Sequence, residues 1–407
     1  MNWKFLILLL VVLEHGYQLV LNFVLRKSAN NPTPENVSDV YDTETYTRWK
    51  NYHAENCTHT MISTLIKLAI TLVLLLTDAY ALFAGFFPAG GFMQLLAVVL
   101  ANTLICAVVD AGLNYYDTMV IEQKYGFNRT TVKTFVIDQI RGFLLQLLMG
   151  VGLAWVLMLL HQWMGDWVIV LFAAVMFGFT LLISFLYPYF SRIGNKFVPL
   201  EDGELKDKLT ALLNSHHYQV RAIEVMDASR RTTKLNAYFT GFGKLKTIVL
   251  YDNMLTAMTT DEIVSVFAHE LGHGLHKDVL KLQIMNLGNL LLMGTAVWLS
   301  VKFVDMHAAF GFEGINYGFA MLLAGFGLGV IQPLTGITIN AFSRKAEYRA
   351  DNQAVLEGYG QALTTAMKKL GKENFEHLAP SRLVVALYYS HPPLSERIEA
   401  IQQAMKQ

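Results

Sequence analysis

The stretch FAHELGHGLHKD, residues 267–278, places two histidines four residues apart, with a glutamate directly after the first. If it is helical, His269 and His273 lie on one face and can bind one Zn²⁺, while Glu270 projects beside them as a base for water. Thr259 and Glu262 have the spacing of a capping box, which predicts that a helix begins just before this stretch. The sequence therefore predicts a zinc site of the hydrolytic kind.

A catalytic zinc site needs a third protein ligand and one open position. The stretch SRKAEYRAD, residues 343–351, supplies Glu347 and, four residues later, Asp351. Glu347 can complete a set of two histidines and one glutamate, and Asp351 can accept the free ring N–H of a ligand histidine. Alternatively, Glu347 pairs with Arg344 on a solvated face. His276, near the first motif, is expected to be structural.

The composition indicates an integral membrane protein. Of the 407 residues, 54% are hydrophobic and only 16% are charged, and the mean hydropathy is positive, which is unusual for a soluble protein. The net charge is zero and no Lys/Arg-rich run with interleaved aromatics occurs, so no nucleic-acid partner is expected. Cys57, in a stretch predicted to be a polar loop, and Cys106, in an apolar run, are expected to be free thiols.

Several apolar runs are long enough, at about 20 residues each, to cross a bilayer. The first lacks a cleavage site and is expected to be retained. With an odd number of spans the two ends lie on opposite sides, and only Lys4 and Lys302 of the 32 Lys and Arg fall on the N-terminal side. The positive-inside rule then predicts an N-terminus outside and large loops in the cytoplasm. The seven predicted spans are 5–25, 62–87, 92–113, 142–164, 167–190, 283–301 and 315–340.

Three predicted spans carry polar groups that lipid does not tolerate. Glu14 and His15 fall in the first span, Asp78 in the second and Asp110 in the third. Such groups usually face the bundle interior or a water-filled cavity. Pairing between spans, or a position nearer the membrane surface, is the alternative explanation. Together these residues favour a wet interior.

The polar segment before the sixth span contains two predicted strands, at 218–225 and 246–251, and the stretch LNAYFTG (235–241) precedes the second. The segment after the seventh span is predicted to be helical. The sequence thereby divides into a membrane domain with spans one to five (1–190), a cytoplasmic catalytic segment with the HExxH helix (191–282), spans six and seven (283–340), and a C-terminal helical segment with the third ligand (341–407).

Five stretches, taken in order along the chain, point to one family: IEQKYGFNRTT (121–131), LNAYFTGFGKLKTIVLYDNML (235–255), AHELGH, SRKAEYRAD and YSHPPLSERIEAI (389–401). Together they closely resemble the CAAX prenyl protease type I family of integral-membrane zinc metallopeptidases. The resemblance implies a mainly α, polytopic membrane protein whose seven transmembrane helices enclose a water-filled chamber. It also implies a small cytoplasmic α+β metalloprotease domain of gluzincin type, with its metal site facing that chamber.

The resemblance implies roles for the residues of the metal site. His269, His273 and Glu347 are similar to the family's zinc ligands, one Zn²⁺ being expected per chain. Glu270 is similar to the general base, and Asp351 to the residue that orients a ligand histidine. Family members often carry a histidine five residues after the second ligand, where this chain has Asp278.

The resemblance also implies substrate-binding residues. Asn236 and Ala237 resemble the edge strand that pairs with the substrate backbone. His391 resembles the group that hydrogen-bonds the oxyanion, and Arg397 a cavity-lining residue that reads a substrate carboxylate. From the residues alone, Asn236 is equally a turn residue, His391 part of a proline-rich turn, and Arg397 a charge on a helix face.

The implied function is a zinc-dependent endopeptidase, embedded among membrane lipids, that cleaves peptide or protein substrates near a prenylated C-terminal tail. One alternative is a quality-control peptidase that admits exposed segments of membrane proteins without a prenyl group. Another is a transport or lipid-binding chamber with structural zinc, although structural zinc sites usually have four Cys or His ligands. The chain is short for the family and ends in AMKQ without a basic retrieval signal. A bacterial inner membrane is therefore expected rather than the endoplasmic reticulum.

Overall fold

The computed structural model describes residues 2–88, 91–192, 194–240 and 246–407. Residues 241–245, which belong to the motif 235–255 and include the last residue of LNAYFTG, lie outside the described residues. Up to residue 192 the elements are helical, as predicted: α1 (Trp3–Ser28), α2 (Thr43–Leu76), α3 (Ala79–Ala84), α4 (Phe92–Tyr115), α5 (Val132–Met164) and α6 (Val168–Phe190).

The rest of the described chain contains a small sheet followed by helices. These elements are β1 (Phe197–Pro199), α7 (Glu204–Ser215), β2 (Ala222–Met226), β3 (Ala237–Thr240), β4 (Thr247–Tyr251), α8 (Asp252–Ala257), α9 (Thr260–Leu275), α10 (Asp278–Lys302), α11 (Val304–Ala308), α12 (Tyr317–Leu356), α13 (Gly360–Glu373), α14 (Arg382–Tyr388) and α15 (Leu394–Ala404).

Six segments of the described chain are long and apolar enough to cross a membrane. Five of them begin with α1, α2, α4, α10 and α12, and the sixth, Val132–Ile183, contains α5 and most of α6 with a 3₁₀ turn at Gly165–Trp167 between them. A helix is present at each of the predicted spans. The multi-pass architecture is thus confirmed. The count of seven crossings stays a prediction, because α5 and α6 fall in one segment.

The second predicted span has the wrong bounds. Helix α2 begins in polar sequence at Thr43 and ends at Leu76, so Cys57, expected in a loop, is buried inside a helix. The chain turns at Asp78, whose φ is +53°, and helix α3 follows. The carboxylate of Asp78 lies 2.7 Å from the Lys4 ammonium. This acidic residue therefore lies at a helix break and not in the middle of a span.

Two other acidic residues of the spans contact neighbouring helices. Asp110 of α4 pairs with Lys67 of α2 at 2.7 Å. The Glu14 carboxylate of α1 fills the space that a side chain at Gly329 of α12 would occupy, since a Cβ there would lie 2.3 Å from its Cδ. Pairing between helices, weighed as an alternative for these residues, is thus observed for Asp110.

Helix α12 joins the membrane domain to the metal site. It runs for 40 residues, through Pro333 and beyond the end of the seventh predicted span at 340. Glu347 and Asp351 therefore lie on the same helix as that span and not on a separate one. The division of the chain into four parts stays a prediction, and α12 crosses one of its boundaries.

The sheet has the strand order β1-β2-β4-β3. Strands β2 and β4 are parallel, whereas β1 and β3 pair antiparallel with β2 and β4. Strand β3 therefore lies at an edge of the described sheet. The largest buried apolar cluster joins β4 to helices α7, α9, α13 and α15, which fixes the HExxH helix within the core.

Candidate metal centre

The HExxH helix begins as the sequence predicts. The Glu262 N–H donates to the Thr259 hydroxyl at 3.3 Å and the Thr259 N–H donates to the Glu262 carboxylate at 2.8 Å, forming the predicted capping box. Ile263, Phe267 and Leu271 are buried in the cluster beneath the sheet. Because these residues share the inner face of α9, their packing fixes the direction in which the motif histidines point.

A glycine lets α9 approach α12 closely. A Cβ at Gly272 would lie 2.9 Å from Ala350 Cα and 3.0 Å from Gln353 Cβ, closer than packed atoms tolerate. Glu347 lies one turn before Ala350 on α12. The missing side chain of Gly272 therefore allows the two motifs to meet.

The structure brings together the three predicted ligands. Glu347 Oε2 lies 3.5 Å from His269 Nε2, and Glu347 Oε1 lies 3.3 Å from His273 Nε2. Their ligand atoms all lie within 4.8 Å of one another, and no other such group of His, Cys, Asp and Glu occurs in the described part of the chain. Glu347 Oε2 is buried and accepts no hydrogen bond, although the Arg397 guanidinium approaches it to 3.3 Å. A bound cation would satisfy this oxygen, so the residues fit a metal ion.

Each imidazole is oriented by a second carboxylate through its other nitrogen. His269 Nδ1 lies 2.8 Å from Asp351 Oδ1, as predicted. His273 Nδ1 lies 3.2 Å from Asp278 Oδ2, and Arg349 Nη2 donates to the other oxygen of Asp278 at 2.7 Å. A carboxylate can only accept a hydrogen bond, so each ring is assigned a proton on Nδ1, while Nε2 lies beside Glu347 in both rings.

The contact of Asp278 with His273 was not predicted from the sequence. Only 2% of the Asp278 side chain is exposed, and this residue opens α10 directly after the turn that ends the HExxH helix. The sequence did contain one indication of this contact, because Asp278 stands five residues after His273, where family members often carry a histidine. His276, expected to be structural, ends α9, and its N–H donates to the Gly272 carbonyl at 3.0 Å.

Arg397 contacts both acidic residues of α12. Its guanidinium donates to the two oxygens of Asp351 at 2.7 and 2.9 Å, and Nη2 lies 3.3 Å from Glu347 Oε2. Burial opposes the charge, but Asp351 outweighs it and raises the pKa of Arg397 above its ordinary value. Arg397 is thus engaged by the protein itself, and its predicted role toward a substrate carboxylate stays a prediction.

Glu270 and His391 lie beside the three ligands. Glu270 is half-buried, and burial raises the pKa of its carboxyl, while the charges of His269 and His273 oppose that shift. His391 Nε2 lies 3.3 Å from Glu347 Oε1, and 63% of its side chain is exposed. A carboxyl group with a raised pKa and an exposed imidazole therefore lie close to the three ligand residues.

The predicted substrate-binding residues lie at the start of the edge strand. The Asn236 carbonyl accepts a hydrogen bond from the Tyr251 N–H at 3.1 Å, and Ala237 opens β3 opposite Leu250. Strand β3 also contacts α9. Asn236 and Ala237 thus lie on an element next to the HExxH helix.

Comparison with known proteins identifies the family. Residues 23–192 match the CAAX prenyl protease N-terminal region of five membrane helices, and residues 199–405 match peptidase family M48. This chain belongs to peptidase family M48. The resemblance inferred from the motifs is therefore confirmed, and the M48 chain is a membrane-embedded metallopeptidase.

Relatives and a solved structure extend the match along the M48 chain. The CAAX prenyl protease 1 homolog of Oryza sativa is 34% identical over 75% of this chain and 72% of its own length. CAAX prenyl protease 1 of Saccharomyces cerevisiae is 28% identical over 98% of this chain and 95% of its own. The crystal structure of S. mikatae Ste24p has a TM-score of 0.92 at 25% identity, covering 98% and 99% of the two chains. These likenesses confirm the predicted mainly α, multi-pass membrane fold with a small sheet region.

Proposed function

We propose that this M48 protein is a zinc-dependent endopeptidase with one Zn²⁺ per chain held by His269, His273 and Glu347. The observation that carries the proposal is that both imidazoles are bound through Nδ1 to carboxylates, which leaves both Nε2 atoms available beside Glu347. Two histidines and one glutamate are the ligand set of catalytic zinc sites that keep one position open.

The proposed mechanism assigns proton transfer to Glu270. A zinc ion, when bound, supplies the Lewis acidity that activates a water molecule and polarises a peptide carbonyl. Glu270 takes a proton from that water as it attacks the carbonyl carbon, and then returns the proton to the leaving amine. Burial, which raises the pKa of Glu270, makes its carboxylate a stronger base.

His391 is the proposed donor to the carbonyl oxygen. Its Nε2 lies 3.3 Å from Glu347 Oε1, and its exposed side chain can reach a substrate. Negative charge develops on that oxygen as the water attacks. Removal of one such donor typically lowers the rate about 10²- to 10³-fold.

The proposed substrate is a peptide that adds a strand to the outer edge of β3, where Ala237 is the pairing residue and Asn236 lies beside it. The Oryza and Saccharomyces relatives are named as CAAX prenyl proteases, so we propose a prenylated C-terminal tail as the substrate class. Arg397 is proposed to line the same cavity. The tail reaches the centre through a water-filled chamber enclosed by the membrane helices, with lipid outside.

The metal centre is proposed to face the cytoplasm, with the N-terminus outside. The distribution of Lys and Arg supports this orientation, because nearly all of them fall in the loops on the side of the metal centre. The bacterial inner membrane, with the endoplasmic reticulum as the alternative, stays a prediction.

The mechanism is tested by Glu270→Ala. Hydrolysis of peptides is expected to be abolished while the purified variant retains about one zinc per chain, because Glu270 is a base and not a ligand. Metal content is measured by mass spectrometry and cleavage by product analysis. Glu313→Ala, at an exposed residue before α12, is the control and should retain activity. Full activity in the Glu270 variant would disprove the assignment.

The substrate class is tested with a farnesylated C-terminal peptide and its unlipidated twin. Faster cleavage of the farnesylated peptide is expected. Equal cleavage of both peptides would favour a quality-control peptidase that needs no prenyl group. Zinc content without hydrolysis of any peptide would favour a chamber with structural zinc.

A further inference from the structure

The main-chain groups of the segment before β3 alternate between two directions. In an antiparallel pair, residues whose N–H and C=O face the partner strand alternate with residues whose groups face away. The Tyr251 N–H donates to the Asn236 carbonyl, so Asn236 faces β4. Leu235 and Ala237, on either side of it, therefore direct their main-chain groups to the outer edge.

A side-chain amide occupies the outer edge at Leu235. The Leu235 N–H donates to Asn374 Oδ1 at 2.9 Å, and Asn374 Nδ2 donates to the Leu235 carbonyl at 3.1 Å. These are the two hydrogen bonds that a neighbouring strand would make. The next outward-facing residue, Ala237, has no such partner among the residues that the structure describes. Among the described residues, the edge is thus closed at Leu235 and open at Ala237.

Asn374 is held in place independently of the strand. It ends α13, where its N–H donates to the Leu370 carbonyl at 2.9 Å. The following residue, Phe375, takes a left-handed backbone with φ +52°. Its carbonyl accepts the Trp49 indole N–H at 3.1 Å, and its ring packs against Phe127 with centroids 4.9 Å apart. The position of the Asn374 side-chain amide is therefore fixed by contacts with the N-terminal helical region, through its neighbour Phe375.

We propose that Asn374 is a positioning residue that closes the edge of β3 at Leu235, so that a substrate strand pairs from Ala237 onward and no further. This inference rests on the proposed function, since it concerns the peptide that adds to this edge. Outward-facing residues recur at every second position. A peptide that slid to the next pairing position would move by two residues, so the closure selects which peptide bond reaches the metal centre.

The proposal is tested by mapping cleavage sites in Asn374→Ala. The variant frees both main-chain groups of Leu235, and the share of product cut two residues from the wild-type site is expected to rise about tenfold, as two added hydrogen bonds allow. Products of one defined peptide are identified by mass spectrometry. The matched control is Asn253→Ala, because the Asn253 amide donates to the Lys234 carbonyl at 2.9 Å on the side facing β4. The cleavage sites of Asn253→Ala should be the same as those of the wild type.

A wild-type map in Asn374→Ala, with hydrolysis intact, would overturn this proposal and leave the proposed function standing. A wild-type protein that cleaves no peptide would overturn both. Hydrogen exchange resolved to single amides gives a second measurement that needs no variant at position 374. In Glu270→Gln, the Leu235 amide should exchange slowly with or without peptide, whereas the Ala237 amide should slow only when peptide is bound. Fast exchange at Leu235 without peptide contradicts the closure.

Discussion

The orientation of the metal-site histidines depends on residues that lie behind them, away from the open face of the site. The carboxylate of Asp278 lies between the His273 imidazole and the Arg349 guanidinium, and it is buried. A buried carboxylate is stable only when hydrogen bonds and opposite charge compensate the loss of water. Arg349 supplies both, so it stabilises the charge with which Asp278 orients His273.

We expect Asp278→Asn to weaken zinc affinity about 10- to 100-fold, the usual cost of losing a residue that orients a metal ligand. The neutral amide is a weaker acceptor for the His273 N–H and leaves Arg349 without its counter-charge. Competition with a chromogenic chelator measures the affinity. Lys281→Ala is the matched control, because Lys281 approaches Asp278 only to 4.0 Å. An unchanged affinity in Asp278→Asn would contradict the role assigned to this carboxylate.

Two helices, α9 and α12, form the metal centre, and their separation is set where Gly272 faces Ala350. One helix carries the HExxH motif and the other carries Glu347 at the end of a 40-residue run through the membrane. Packed helices resist small changes in distance, because the interior has few voids. The ligand geometry therefore depends on this contact as well as on the ligands.

Gly272→Ala should lower stability by about 1–3 kcal/mol, since its methyl group would overpack the helix contact. It should also reduce zinc content, because Glu347 moves away from the imidazoles as the helices separate. Thermal unfolding in detergent and metal analysis measure the two effects. Gly288→Ala on α10, where a Cβ meets nothing within 4 Å, should leave both unchanged. Equal stability of the two variants would show that the contact is not tight.

The junction between α1 and the C-terminal segment depends on a neutral histidine. His377 Nε2 lies 2.9 Å from the Ser28 hydroxyl, and the Ala379 N–H donates to Nδ1 at 3.3 Å. Burial, followed by the nearby His53, lowers the pKa of His377 to about 3. Unfolded histidine has a pKa of about 6.5 and so binds a proton that the folded form excludes.

Stability is therefore expected to fall as the pH decreases below about 6.5 toward 3. His377→Gln, which cannot be protonated, should reduce the slope of melting temperature against pH between about 7 and 5, over which the unfolded histidine becomes protonated. Thermal unfolding at several pH values measures this slope. If the wild type and the variant have the same slope, the junction does not depend on neutral His377.

Over the whole molecule, the membrane helices carry charges that a lipid-facing bundle would not hold. The Lys67–Asp110 pair joins α2 and α4 at 2.7 Å, and both side chains are partly exposed. Charged groups within spans usually face a protein interior or water. Pairing between the two helices compensates these charges, but both side chains remain partly exposed. The proposed water-filled chamber would supply water to their exposed side.

A cysteine at position 110 should react with a charged thiol reagent, because thiolates form in water and not in lipid. The test uses Asp110→Cys in a chain whose Cys57 and Cys106 have been replaced. Val108→Cys is the matched control, since Val108 lies two residues away on α4 and points to another face, where 67% of it is exposed. It should remain unlabelled. Equal labelling at both positions would contradict a wet interior.

Local patterns predicted much of this molecule. The positions of the long helices follow from runs of apolar residues, and the start of α9 follows from its capping box. The grouping of His269, His273 and Glu347, with Asp351 beside His269, was anticipated because HExxH and ExxxD each lie within a single helix; their roles as metal ligands stay a prediction. Strands at 222–226 and 247–251 were also anticipated, although β1 was not, because three residues carry too little periodicity.

By itself, the sequence determined which residue types occur at the metal site and that the chain is a membrane protein. Both properties follow from residues that are close together in the chain. Only the tertiary structure decided that Asp278 orients His273, that Arg397 binds Asp351, and that Asn374 closes the edge of β3. The partners in these contacts lie between 5 and 139 positions apart in the chain. Such pairs form where packed helices and the sheet contact each other. The periodicity of side chains along one helix or strand does not specify which other element it will contact.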